Sequence, residues 1–151
     1  MDKERIYREA QEEIALLIEG ETDPVSRMST ICAVLKERIV WASWVGFYRV
    51  VEPRMLAVGP YVGEVGCLRI PFDQGVCGAA ARSRKAQIVP DVDAFPGHIA
   101  CDAAARSEIV LPVVDRSGAL IAVLDLDSHQ SAAFDERDQA GLEPVVRLAV
   151  V

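Results

Sequence analysis

Cys101 and Glu108 stand seven residues apart, just ahead of the apolar run Ile109-Val110-Leu111-Pro112-Val113-Val114. A thiolate nucleophile and an acid at the mouth of a buried strand are the parts that redox or acyl-transfer chemistry needs. His98, three residues before Cys101, is placed to take its proton, although a lone histidine in a loop is more often a surface residue. Cys77 competes for the same role. Asp73-Gln74-Gly75 opens a short helix with Cys77 in its first turn, where the positive end of the helix would stabilise a thiolate. Local physics ranks Cys77 as the more reactive thiol, and geometry favours Cys101 beside Glu108. The residues nominate two nucleophiles and do not choose.

Asp125 and Asp127 are two apart in a strand pattern, so they project from one side of it. With Glu108 at the start of the paired strand, three carboxylates can converge at one end of a sheet. Such a cluster suits a hard divalent cation, or the ammonium of a free amino acid. Crowding can instead raise one carboxyl pKa and leave a proton donor at neutral pH. The bland alternative is a solvated strand end. A metal centre is not expected, because no histidine falls in register with these strands and no Cys-x-x-Cys pair exists. Trp44, Gly46 and Tyr48 share a face of an earlier strand. Gly46 leaves a gap that could hold a methyl group, or marks a bulge in ordinary packing.

The positioning elements follow from periodicity. Ile6, Ala10, Ile14, Leu17 and Ile18 line one face of a helix over 3–19, ended by Gly20. Asp23-Pro24 caps a second helix to about Ile39, with Cys32 in its apolar stripe as a small core residue. Strands are expected at 44–51 and about 55–59, then a Gly/Pro loop over 59–63, a strand near Cys67–Ile70, and the helix to Arg84. A strand at 86–89 and a long loop over 90–106 come next. A hairpin of 107–114 and 119–127 turns at 115–118. Asp135 caps a last helix that Pro144 should kink or break. Short connections between most strands favour an antiparallel sheet with helices packed on it, an α+β domain.

Composition narrows the function classes. With 51% apolar and 26% charged residues in 151 positions, one domain over 1–151 with a full core is expected. A net charge of −7 argues against a nucleic-acid partner, which needs clustered Lys and Arg. No apolar run approaches a membrane span. The charged start Met1-Asp2-Lys3-Glu4-Arg5 is unlike an apolar leader, so the cytosol is the expected compartment. There, scattered cysteines read as inert thiols or as members of a redox cycle rather than a structural disulfide framework.

Trp44-Val45-Gly46-Phe47-Tyr48, Cys67-Leu68-Arg69-Ile70-Pro71, Gly75-Val76-Cys77-Gly78, Gly97 to Pro112, and Val123 to Ser128 resemble, in the same order, segments of the free methionine-R-sulfoxide reductases. The resemblance covers roughly residues 5–148. It implies a GAF-like fold with an antiparallel six-stranded sheet, and reduction of free methionine-R-sulfoxide without a cofactor. By position, Cys101 resembles the nucleophile that becomes a sulfenic acid, Cys67 the resolving cysteine that pairs with it, and Cys77 an auxiliary resolving cysteine. Glu108, Asp125 and Asp127 match the acidic substrate-binding residues, and Trp44 and Tyr48 the aromatics around the substrate methyl. Thioredoxin is the implied reductant and a homodimer the implied assembly. The competing class is a non-catalytic GAF module sensing a small ligand or redox state, which has no need for three positioned cysteines.

Overall fold

The computed structural model describes residues 1–99 and 101–151; Ala100, inside the Cys101 loop, lies outside the described residues. Helix α1 spans Lys3–Leu17, with the Asp2 side chain accepting from the Arg5 amide at its start. Helix α2 spans Pro24–Arg38. Asp23 accepts from the Val25 amide there, and Pro24 occupies a first-turn position where no N–H is missed. Strands β1 (Trp44–Glu52), β2 (Met55–Val62) and β3 (Arg69–Pro71) lead to helix α3 (Gly75–Ser83). Strand β4 (Gln87–Val89), a 3-10 turn at Val92–Ala94, β5 (Ser107–Val114), β6 (Leu120–Ser128) and helix α4 (Glu136–Leu148) complete the chain.

The six strands form one sheet in the order β3-β2-β1-β6-β5-β4, and every neighbouring pair is antiparallel. Two local meanders are thus joined at the centre, where β1 pairs with β6. Side chains alternate as a period of two requires. Val45, Phe47, Ile109, Leu111, Leu124 and Leu126 face a core shared with α1, α2 and α4. Trp44, Tyr48, Val110 and Val123 face the opposite side, under α3. The three long helices therefore cover one face and leave the other for the pocket, as expected from the pattern.

Two expectations give way. The Gly59–Gly63 loop is not a loop, because β2 continues to Val62. Gly59 and Pro60 together lie opposite Phe47, a bulge between the Gly46–Tyr61 and Tyr48–Val58 pairs. A bulge is where a strand accommodates a residue without an N–H. Pro144 does not break the last helix, which runs from Glu136 to Leu148. Leu142, Val145 and Val146, on both sides of the proline, are buried and hold the helix across it.

Asp138 ties the helical layer together. Fully buried, it accepts from Lys3 Nζ (2.6 Å), Tyr7 Oη (2.6 Å) and Trp41 Nε1 (3.0 Å). It also accepts from the Asp135 amide at 2.8 Å, closing a capping box with that residue. Removing the carboxylate leaves the Tyr7 and Trp41 donors buried without a partner and takes the main ion-pair partner from the partly buried Lys3 ammonium. Asp138→Ala is therefore expected to lower stability by about 3–5 kcal/mol, read as a shift of the urea midpoint.

Candidate active site

Strand register decides which residues meet. Trp44 pairs with Asp127, and Asp127 pairs on its other side with Glu108. One step along, Asp125 lies between Gly46 and Val110. Both rows point to the α3 side, so Trp44, Tyr48, Glu108, Asp125 and Asp127 line one cavity, together with Cys77, His98, Cys101 and Asp102. Its free volume is small, about 30 Å³. Cys101 is a partly buried member of that lining, and Cys67, in the segment between β2 and β3, is bonded to it.

Of the two readings of Gly46, ordinary packing at a bulge is the one found. The Trp44 ring folds along its own strand over Gly46, and a Cβ there would overlap that ring and the Cβ of Tyr61. Trp44 stacks on Tyr48 at 5.7 Å and on Tyr61 at 5.2 Å between centroids, and its Nε1 donates to the Glu64 carbonyl. Gly46 thus serves packing beside the bulge, and the aromatic wall is Trp44 and Tyr48 themselves. Tyr48 is buried, and burial together with the Asp125 charge holds its hydroxyl in the neutral form.

Glu108 and Asp125 are 6% and 4% exposed and Asp127 is half-buried, nearer the rim. Burial pushes all three carboxyl pKa values well above the ordinary range, and the charges of their neighbours push the same way. Glu108 faces both aspartates, and Asp125 faces the Cys77 thiol. Carboxyls this close together and this deeply buried resist ionising together, so the cluster holds on to protons that isolated carboxyls would release. Asp125 Oδ1 is buried without a protein partner, an acceptor available to whatever occupies the cavity. The Cys77 Sγ and oxygens of Glu108 and Asp125 lie within 4.8 Å of one another. A thiol and two oxygens fall short of the six or more oxygens that magnesium or calcium takes, and a proton-sharing network accounts for the cluster.

The lowered pKa expected of Cys77 at a helix start is not found. Although it sits in the first turn of α3, it is fully enclosed, and burial followed by the Asp125 and Glu108 charges pushes its thiol well above the ordinary value. Desolvation and two facing carboxylates outweigh the helix end, whose effect is small and falls off within a turn. Cys32 is the core residue expected: its thiol donates to the Pro60 carbonyl at 3.4 Å, and burial pushes it up to about 12. Cys67 and Cys101 are joined by a disulfide with Cα atoms 5.3 Å apart.

A GAF-domain family profile matches residues 21–151. The free methionine-R-sulfoxide reductase of Escherichia coli is 40% identical, over 97% of this chain and 87% of its own length. The Saccharomyces cerevisiae protein of the same name is 36% identical over 98% and 86%. The chain belongs to the free methionine-R-sulfoxide reductases of the GAF-domain family. Among solved structures, the free methionine-R-sulfoxide reductase of Neisseria meningitidis, in complex with its substrate, superposes with a TM-score of 0.93 at 43% identity, covering 99% of this chain and 89% of that one.

Within this reductase fold, one residue that sequence reasoning passed over lines the site, and a second touches it from outside. Asp102 lines the cavity next to Cys101, and its Oδ2 lies 3.2 Å from His129 Nε2. The clue was adjacency: Asp102 follows a candidate nucleophile, and His129 follows the Asp125-Leu126-Asp127 strand. His98 lines the cavity as well. Among the described residues, no helix is long and apolar enough to cross a membrane.

Proposed function

We propose that the protein reduces free methionine-R-sulfoxide to methionine, with Cys101 as nucleophile. The supporting observation is the stacking of a redox-capable cysteine pair over a floor of buried carboxyls that keep their protons. A sulfoxide sulfur becomes electrophilic when its oxygen is protonated or strongly hydrogen-bonded, which is the work of Glu108 and Asp125. The Cys101 thiolate attacks that sulfur and forms an S–S bond to it, while the oxygen, protonated by the carboxyls, leaves as water. A water then attacks the Cys101 sulfur, the S–S bond breaks with its electron pair going to the methionine sulfur, a proton returns to the carboxyls, and Cys101 is left as a sulfenic acid. The Cys67 thiol then attacks the sulfenic sulfur, water departs, and the Cys67–Cys101 disulfide forms. A dithiol reductant of the thioredoxin class returns both cysteines to thiols by exchange. Cys77, facing Asp125, is a reserve thiol on the pocket floor. Trp44 and Tyr48 hold the thioether methyl. Asp127, nearest the rim, takes the substrate ammonium.

Narrow substrate choice follows from the last assignment. An amide in place of the ammonium would leave Asp127 facing a neutral group, and a buried polar group without its partner typically costs about 1–3 kcal/mol. Thioredoxin-coupled NADPH consumption should therefore be seen with the free R sulfoxide. It should fall at least tenfold with N-acetylated or peptide-bound methionine-R-sulfoxide, and be absent with the S epimer. Equal turnover of a methionine-sulfoxide peptide would remove the ammonium site. No turnover of the free R sulfoxide would leave a ligand-sensing GAF module as the better description.

A further inference from the structure

Cys101 has to serve two partners in turn, the substrate sulfur above the carboxyl floor and the Cys67 thiol beside it. The segment that carries it holds few ties to the rest of the chain. On one side the Gly97 carbonyl accepts from Gly75, and on the other the Arg106 amide donates to Ser128. Between them, the backbone bonds of His98, Cys101 and Ala105 stay local, to Phe95, Ile99 and Asp102. Ile99 and Ala105 supply apolar contact at either end. Among the described residues, residues 98–105 make two other cross-links. One is the Cys67–Cys101 disulfide and the other is Asp102 Oδ2 to His129 Nε2 at 3.2 Å. The first opens once per catalytic cycle, and the enzyme that meets substrate lacks it.

We propose that His129 is a positioning residue, whose hydrogen bond to Asp102 holds the Cys101 segment over the pocket whenever the disulfide is open. The geometry suits that role. The Asp102 side chain is 14% exposed and turned into the site, and its Oδ1 accepts from the Ala104 amide, a turn that fixes residues 102–104 relative to the carboxylate. Anchoring Asp102 therefore anchors Cys101 one residue away. His129 follows Ser128, the last residue of β6, so the tether is rooted in the strand that carries Asp125 and Asp127. Thiolate and proton donors are then referred to the same rigid element, and near-attack geometry depends on such referencing. An imidazole with its proton on Nε2 donates to Asp102 whether neutral or charged, so the tether does not depend on His129 being ionised.

The proposal rests on the reductase reading for its kinetic consequence and not for its structural one, and the test separates them. Amide hydrogen exchange is measured over residues 98–105 in wild type, His129→Ala and His129→Gln, each oxidised and after reduction with dithiothreitol. Reduced His129→Ala should exchange about three- to fivefold faster than reduced wild type, the scale for a partly exposed pair. The oxidised forms should match, because the disulfide still holds the segment. His129→Gln, which keeps a donor, should restore most of the protection. Single-turnover methionine release should slow by a similar factor in His129→Ala, with substrate affinity unchanged. Equal exchange in reduced wild type and His129→Ala would overturn the tether. So would an increase of the same size in the oxidised forms, which would mark His129 as merely structural. If exchange behaves as expected while wild type releases no methionine, the tether stands and the reductase reading falls.

Discussion

Replacing Cys101 with serine is expected to abolish release of even one methionine per enzyme, a loss on the order of 10⁴-fold or more, the scale seen when a nucleophile is removed. The reason is positional. Cys101 is partly exposed at the cavity edge and bonded to Cys67, so its sulfur can reach both a sulfoxide and a second thiol. Cys77 lies on the floor, enclosed, with its thiol held protonated by burial and by the facing carboxylates. Cys67→Ser should still release one methionine per enzyme at close to the wild-type rate, after which Cys101 persists as a sulfenic acid that dimedone traps. Steady-state turnover with a dithiol reductant should then fall about tenfold or more, since exchange needs a disulfide to attack. Cys77→Ser should keep its first turnover, because a hydroxyl can also donate to Asp125. Quenched-flow methionine release from the prereduced variants checks all three. A burst from Cys101→Ser combined with none from Cys77→Ser would reverse the assignment.

Glu108→Gln and Asp125→Asn should each lower turnover by about 10²–10⁴-fold, the usual contribution of a positioned general acid. The same changes should make the protein more stable at neutral pH. The ordinary carboxyl values are 4.5 for Glu108 and 3.8 for Asp125, and burial raises both well above these in the folded chain. Between the ordinary value and the raised one, the folded state keeps a proton that the unfolded chain has released. Stability is therefore full below about pH 4 and falls as pH rises through the folded-state values. A neutral amide of similar shape removes that dependence. Glu108→Gln should gain roughly 1–3 kcal/mol at pH 8, the range for an imperfectly paired buried polar group. The gain should shrink toward zero near pH 4, as read by urea melts across the range. A variant that is less stable than wild type at pH 8 would mean the carboxylates are satisfied as anions, and the proton-donor role would fail with it.

Much of this architecture could be read from local pattern. A period of two in Trp44–Tyr48 and in Val123–Asp127 assigned faces to side chains before any strand had a neighbour, and those faces hold in the sheet. Asp23-Pro24 and Asp135 marked helix starts through chemistry confined to a few residues. Errors arose where a local rule met a long-range partner. The Gly59-Pro60 pair signals a loop in isolation, yet β1 supplies the bulge that carries it within β2. Pro144 signals a break, but buried residues on either side keep α4 whole. Gly46 left a vacancy or a bulge open, and long-range packing selects the bulge, with the Trp44 ring over the glycine.

The site divides along the same line. Residue type and strand period determined, from sequence alone, that Glu108, Asp125 and Asp127 could face one way near a cysteine. Only the tertiary structure decided the surroundings of each cysteine, because burial and the charges brought from other strands are set by long-range packing. The end of α3 is a local feature and favours a Cys77 thiolate. Burial against Asp125 and Glu108 is a long-range feature, stronger at short distance in a low-dielectric pocket, and it raises the Cys77 thiol pKa instead. The Asp102–His129 contact is of the same kind: 27 residues separate the partners in sequence, and no periodicity links them. They meet because the antiparallel pairing of β5 with β6 brings Ser107 opposite Ser128, and with it the end of the Cys101 loop to the end of β6.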